Sequence, residues 1–149
     1  FRRLSPRSPQ AIDPQHLLAL ARGNLGTQLI SAGDFVRSGA ELAAARDELS
    51  KLAEAYRAIP VYALDLGRQQ MALGALAVQS RAPAAALARF EEARATFAGV
   101  LKAHPESAEA KQTLAAALDN LAYVRYGRTK WTPDPTDDVR ALAAIRAER

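Results

Sequence analysis

Residues 87–97 read LARFEEARATF, and the geometry of this stretch decides what kind of fold the chain can adopt. Phe90 and Phe97 lie seven residues apart, close to two helical turns, so both rings fall on one side of a helix. Leu87, Ala93, Val100 and Leu101 complete an apolar stripe of helical width, while acids and arginines take most other places. Such a stripe must press against another element. Ala93, small and set between two large rings, is the notch where a neighbouring backbone is expected to come close.

Working outward, proline and glycine divide the 149-residue chain into similar segments. Asp13-Pro14 is a helix start, with Asp as cap and Pro at the first helical position. The pattern Leu17, Leu18, Leu25, Leu29, Ile30 follows, and Ala32-Gly33-Asp34 stops it. A second helix is predicted from about Phe35 to Ala58, with Leu42, Ala45, Leu49, Leu52 and Tyr56 on one side. Ile59-Pro60 breaks it. A third helix runs to about Gln79, a fourth opens at Pro83, and His104-Pro105 ends that one. A fifth carries Leu114, Leu118, Leu121 and Val124 to near Gly127. Beyond a loop containing Trp131, Asp134-Pro135 starts a short last helix. No alternation of β-branched residues argues for a strand, and the Ala- and Leu-rich composition favours helix, so the expected class is all-α.

An internal repeat is the strongest signal. Leu25-Gly26, Leu73-Gly74 and Leu121-Ala122 follow one another at intervals of 48 residues, as do Leu18, Leu66 and Leu114. The same offset pairs Leu42 with Phe90, Ala45 with Ala93, Leu49 with Phe97 and Leu52 with Val100. A shared offset across both helices of a unit implies a helical hairpin that buries its faces only by stacking on further copies.

On these residues the chain resembles the tetratricopeptide repeat family. Leu73-Gly74, Ala86, Phe90 and Ala93 reproduce its spacing of Leu-Gly, small residue, aromatic and second small residue. The stretch HPESAEAKQTLAAALDNLA looks like the long variants attached to bacterial serine/threonine kinases and other signalling proteins. The departures are Gln70 and Ala77 at the usual aromatic positions, and a unit longer than the usual length of about 34 residues. The resemblance implies an α-solenoid of stacked antiparallel hairpins, about 2.5 repeats over residues 13–127. Residues 1–12 read as a linker or trimmed end, and residues 128–149 as a loop and C-terminal capping helix. Trp131 is either buried under that helix or an anchor for an external protein.

The resemblance also implies a site: the first helices of successive units line a concave groove that takes a peptide or helix. Asn24, Thr27 and Ile30 fall there in the first unit, Arg68, Met71, Ala75 and Val78 in the second, and Asp119, Asn120, Tyr123 and Tyr126 in the third. Of these, Asn24, Thr27, Arg68, Met71, Asn120, Tyr123 and Tyr126 are the candidate ligand contacts. Asn24 and Asn120 recur at one register position, and an Asn amide can both donate to and accept from a peptide backbone. The lysines of a carboxylate-clamping groove are missing. The implied function is a non-catalytic protein-binding module within a larger bacterial signalling protein. The alternative is a structural or self-associating scaffold that spaces or regulates an attached catalytic domain.

Other chemistry finds little footing. Cysteine is absent, so disulfides and thiolate metal sites are excluded, and a cytoplasmic home fits. No apolar run reaches the roughly 18 to 20 residues of a membrane span. The net charge of +4 lies in the ends: residues 1–9 carry +3, residues 125–149 carry +2, and the body carries −1. A nucleic-acid partner is therefore not expected. His16 and His104 have no His, Cys or carboxylate nearby at metal spacing, and His104 is placed at a helix C-terminus. Asp134, Asp137 and Asp138 suit a helix start rather than a cation. Glu91-Glu92 and Asp47-Glu48 belong to solvent faces, and the glycines do not follow a strand as a phosphate loop requires. No catalytic residue, cofactor or metal is expected.

Overall fold

The computed structural model describes residues 13–126. The linker reading of residues 1–12, the Trp131 loop and the proposed cap with Asp134, Asp137 and Asp138 lie outside the described residues. Within them the protein is all-helical: α1 (Pro14–Ser31), α2 (Phe35–Ala55), α3 (Pro60–Gln79), α4 (Pro83–Ala103) and α5 (Ala108–Tyr126). Asp13 caps α1 by accepting a hydrogen bond from the Gln15 amide at 2.8 Å, and Pro14 takes the first helical position. Asp34 caps α2 through the Arg37 amide at 3.2 Å. α2 stops at Ala55, three residues short of the boundary expected from sequence. Tyr56 leaves helical geometry there and Ile59 turns back to bond its carbonyl ahead of Pro60.

The 48-residue offset is built into the backbone. α2 and α4 have the same length, and both their ends are displaced by that offset. The turn after α1 closes with the amides of Ala32, Gly33 and Asp34 donating to the carbonyls of Gln28, Ile30 and Leu29. After α3 the amides of Ser80, Arg81 and Ala82 donate to Leu76, Val78 and Ala77, each bond in the same register. This arrangement requires a left-handed residue just past the helix. Gly33 takes it at φ 80°, while Arg81 must take it at φ 57° without glycine's freedom.

Packing follows the same register. Leu42, Ala45 and Leu49 on α2 are fully buried, and so are Ala93 and Phe97 on α4, with Phe90 only 1% exposed. Leu42 stands over Gly26 as Phe90 stands over Gly74, and a methyl at either glycine would run into the side chain opposite. Gly67 plays the same part for Phe97. In the first unit the position equivalent to Gly67 is Ala19, and that equivalent to Phe97 is the smaller Leu49; the two share a cluster with Leu52 and Tyr62. The larger ring therefore goes with the smaller partner. Burying one such aromatic side chain contributes about 1.5–3 kcal/mol, so close approach at Gly67 and Gly74 is a main source of α3–α4 stability. Ala93 is buried as expected, but the glycines of α3 are the notches that receive the rings.

Ser38 is the polar member of this series. Fully buried, it donates from its hydroxyl to the Gly26 carbonyl at 2.7 Å, where the second unit places Ala86. The α3–α5 half of the core gathers Phe90, Phe97, Leu114, Leu118 and Leu121, with Met71 and Val78 packed on its edge. Each helix packs on the next in sequence. In addition α1 touches α3 and α3 touches α5, while α2 and α4 are not in contact.

Candidate functional site

α1 and α5 each touch α3, and the residues singled out from sequence lie on these three helices. Asn24, Thr27 and Tyr123 are exposed, whereas Arg68, Met71, Asn120 and Tyr126 are half-buried. The repeat lines up Asn24, Ala72 and Asn120, then Thr27, Ala75 and Tyr123, then Ile30, Val78 and Tyr126. On each helix these positions follow at intervals of three residues, which makes one stripe per helix. Tyr123, 42% exposed, offers the largest aromatic surface of the three stripes.

Several of these side chains already have local duties. The Thr27 hydroxyl donates to the Gly23 carbonyl at 3.0 Å, and the Asn120 amide donates to the Ala116 carbonyl at 3.0 Å. Met71 leans on the α3–α5 core. Arg68 is the most committed: its guanidinium donates to Asp65 at 2.6 Å and also to Glu109 on α5. Burial alone would lower the Arg68 pKa. The hydrogen bonds and charges of Glu109 and Asp65 outweigh it, and the group stands above its ordinary value.

His16 has a partner that sequence spacing does not reveal: Asp65, whose Oδ2 lies 2.6 Å from Nε2 although 49 residues separate them. The His16 ring meets Tyr62 edge-on at a centroid distance of 5.0 Å, and Tyr62 leans on Tyr56 at 5.6 Å. Burial, with the charge of Asp13 and the neighbouring Tyr56, raises the Tyr62 pKa above 10.0. The result is a polar chain, His16–Asp65–Arg68–Glu109, that joins α1, α3 and α5 across the same side as the stripes. Asp65, only 6% exposed, is its pivot, because a buried carboxylate must be paired. Among the described residues, no group of three His, Cys, Asp or Glu is placed to hold a metal ion. None of the described helices is long and apolar enough to cross a membrane.

Asp65 and Glu109 were missed in the sequence because ion pairs between different helices leave no local spacing. Their only trace was the position of Asp65 on an otherwise apolar turn, Ala63-Leu64-Asp65-Leu66. Gln70 had a clearer one. It departs from the aromatic expected by the family likeness, and its buried carbonyl accepts from the Thr96 hydroxyl on α4 at 2.8 Å.

Comparison of the chain with protein-family models, with curated proteins and with solved structures finds no match. The tetratricopeptide likeness therefore rests on the chain's own residues and spacing.

Proposed function

We propose that this chain is a non-catalytic protein-interaction module: a tetratricopeptide-like α-solenoid of antiparallel hairpins that holds a peptide or helix across its first helices. What carries this reading is the asymmetry of contact. α1 and α5 each touch α3, whereas α2 and α4 stay apart. A two-layer stack that curves toward its first helices has this pattern, and it makes those helices one lining. On that lining Tyr123 and Met71 are the apolar contacts. Asn24 and Asn120 are the amides for a ligand backbone, with Thr27 and Tyr126 beside them. Arg68 acts chiefly by fixing α3 to α5, so the lining is held in shape before a ligand arrives, which lowers the cost of ordering it on binding. The module belongs, on this reading, to a larger cytoplasmic signalling protein of bacterial type, without a nucleic-acid or membrane partner.

A displayed random-peptide library selected on the full chain tests the proposal. Enriched peptides should lose at least about tenfold in affinity to a Met71→Glu/Tyr123→Ala variant, the scale of removing one anchor. Equal binding by parent and variant would remove this lining from consideration.

The second reading, a scaffold that associates with itself, draws on the exposed leucines of α1, 40–52% accessible. Light scattering over a concentration series separates the two, since only self-association makes the mass rise with concentration.

A further inference from the structure

α1 carries an apolar face, away from the proposed lining, that no described element covers. Leu18 and Leu25 are 52% and 40% exposed, and Ala21 between them is exposed too. The repeat supplies the comparison. At the offset of two units, Leu18, Ala21 and Leu25 correspond to Leu114, Ala117 and Leu121 of α5, which carry the same three side chains. Those are 7%, 0% and 0% exposed, within a cluster that includes Ala93, Phe97 and Val100 of α4. At the offset of one unit, Leu18 corresponds to Leu66, which packs against the cluster of Ala19, Leu49, Leu52 and Tyr62. In the third unit this face of the first helix is thus closed together with α4, and in the second unit its Leu66 is covered by a cluster to which α2 contributes. On α1 the same chemistry in the same register lies open.

We propose that the open face of α1 is a docking site for an amphipathic helix of the α4 pattern, supplied by a partner protein. The pattern is specific. Besides Phe90 and Phe97, α4 directs Leu87, Ala98 and Leu101 onto the α3–α5 core, and its Glu91 pairs with Arg125 of α5 at 2.7 Å. The docking helix therefore presents aliphatic side chains and alanine at three- and four-residue spacing, with at least one carboxylate. The α1 counterpart of Arg125 is Leu29, so the cation that α1 offers a carboxylate stands at a different position, Arg22. Arg22 is exposed and has no acidic partner among the described residues, while its counterparts Gln70 and Leu118 are only 8% and 2% exposed. A cation at a position that closes over in the other two units selects an acidic helix over a basic one.

The test uses the full chain and a fluorescently labelled peptide with the sequence of residues 83–103, followed by anisotropy. The peptide is expected to bind saturably to the parent. Binding should weaken at least tenfold in a Leu18→Asp/Leu25→Asp variant and should also fall in Arg22→Glu. Because all three side chains are exposed, the variants should keep the parent's helical circular dichroism and melting curve, which separates lost docking from lost folding. A Met71→Glu/Tyr123→Ala variant should bind this peptide as the parent does, so failure of the groove reading and failure of this one remain distinguishable. Absence of binding, or equal binding by parent and the Leu18/Leu25 variant, overturns the proposal. So does a parent dimer that the Leu18/Leu25 changes dissolve, for then a second copy is the occupant.

Discussion

Gly67 and Phe97 form a size-matched pair whose partner sizes can be exchanged. In the first unit the same two positions hold Ala19 and Leu49, a larger small residue and a smaller large one. Gly67→Ala should gain roughly 1 kcal/mol in helix propensity. Its methyl, however, lands on the Phe97 ring, which is 0% exposed and has nowhere to move. Overpacking of that kind costs about 1–3 kcal/mol, so the net change is a loss of up to about 2 kcal/mol. Phe97→Leu alone removes buried ring atoms and should cost about 1–2 kcal/mol. The double variant recreates the pair of the first unit: the new methyl fills the space the ring leaves, and the propensity gain survives. It should therefore fall within about 1 kcal/mol of the parent, with a favourable coupling of about 1–3 kcal/mol between the two sites. Urea denaturation of the four proteins, followed by helical circular dichroism, supplies the cycle. Costs that simply add would refute the claim that these side chains meet and that the two units share one packing rule.

Arg81 sits at φ 57° where the first unit has Gly33, so Arg81→Gly should stabilise by about 0.5–1 kcal/mol, read from the melting curve. Ser38→Ala loses one buried hydrogen bond, but its counterpart Ala86 shows that alanine fits, so a cost of about 1 kcal/mol is expected in urea denaturation. Arg68→Met leaves the carboxylate of Asp65 with His16 alone, and because the Arg68 side chain is 40% exposed the expected loss is a modest 1–2 kcal/mol or so, again from denaturation. The Tyr62 phenol has its folded-state pKa raised above 10.0, so the native state holds that proton more tightly than the unfolded chain. Stability linked to it should be intact below pH 10.0 and fall as pH rises past that value; this alkaline loss should be smaller in Tyr62→Phe when the two denaturation profiles are compared.

Much of the fold was legible because it is written in local and periodic terms. Asp13-Pro14, Ile59-Pro60 and Pro83 mark helix starts through backbone chemistry that no distant contact can alter. The offset relating Leu42 to Phe90 and Leu49 to Phe97 survives because buried size must be kept in each unit. The C-terminal end of α2 was placed too far along, since the apolar pattern continues through Tyr56 while the backbone has already left the helix. The pairing of Gly67 with Phe97 was also out of reach: a glycine inside a helix pattern does not announce which ring will cover it. For the candidate site, sequence supplied positions by spacing and did not supply the bonds around them. The stripe positions follow from helical spacing, whereas the tie from His16 through Asp65 and Arg68 to Glu109 depends on three helices meeting. Arg68, read from sequence as a ligand contact, is also part of that tie.

The central claim is that the first helices advance by a constant step rather than gather about one axis. The absence of native cysteine makes it directly measurable. Cysteines placed in pairs at Thr27, Ala75 and Tyr123, one equivalent position per unit, can carry spin labels for distance measurement. The account predicts nearly equal separations for 27–75 and 75–123, each near the roughly 10 Å between packed helices, and a 27–123 separation close to twice either. A 27–123 separation no longer than the other two would mean a bundle closed around a common centre, and would contradict it.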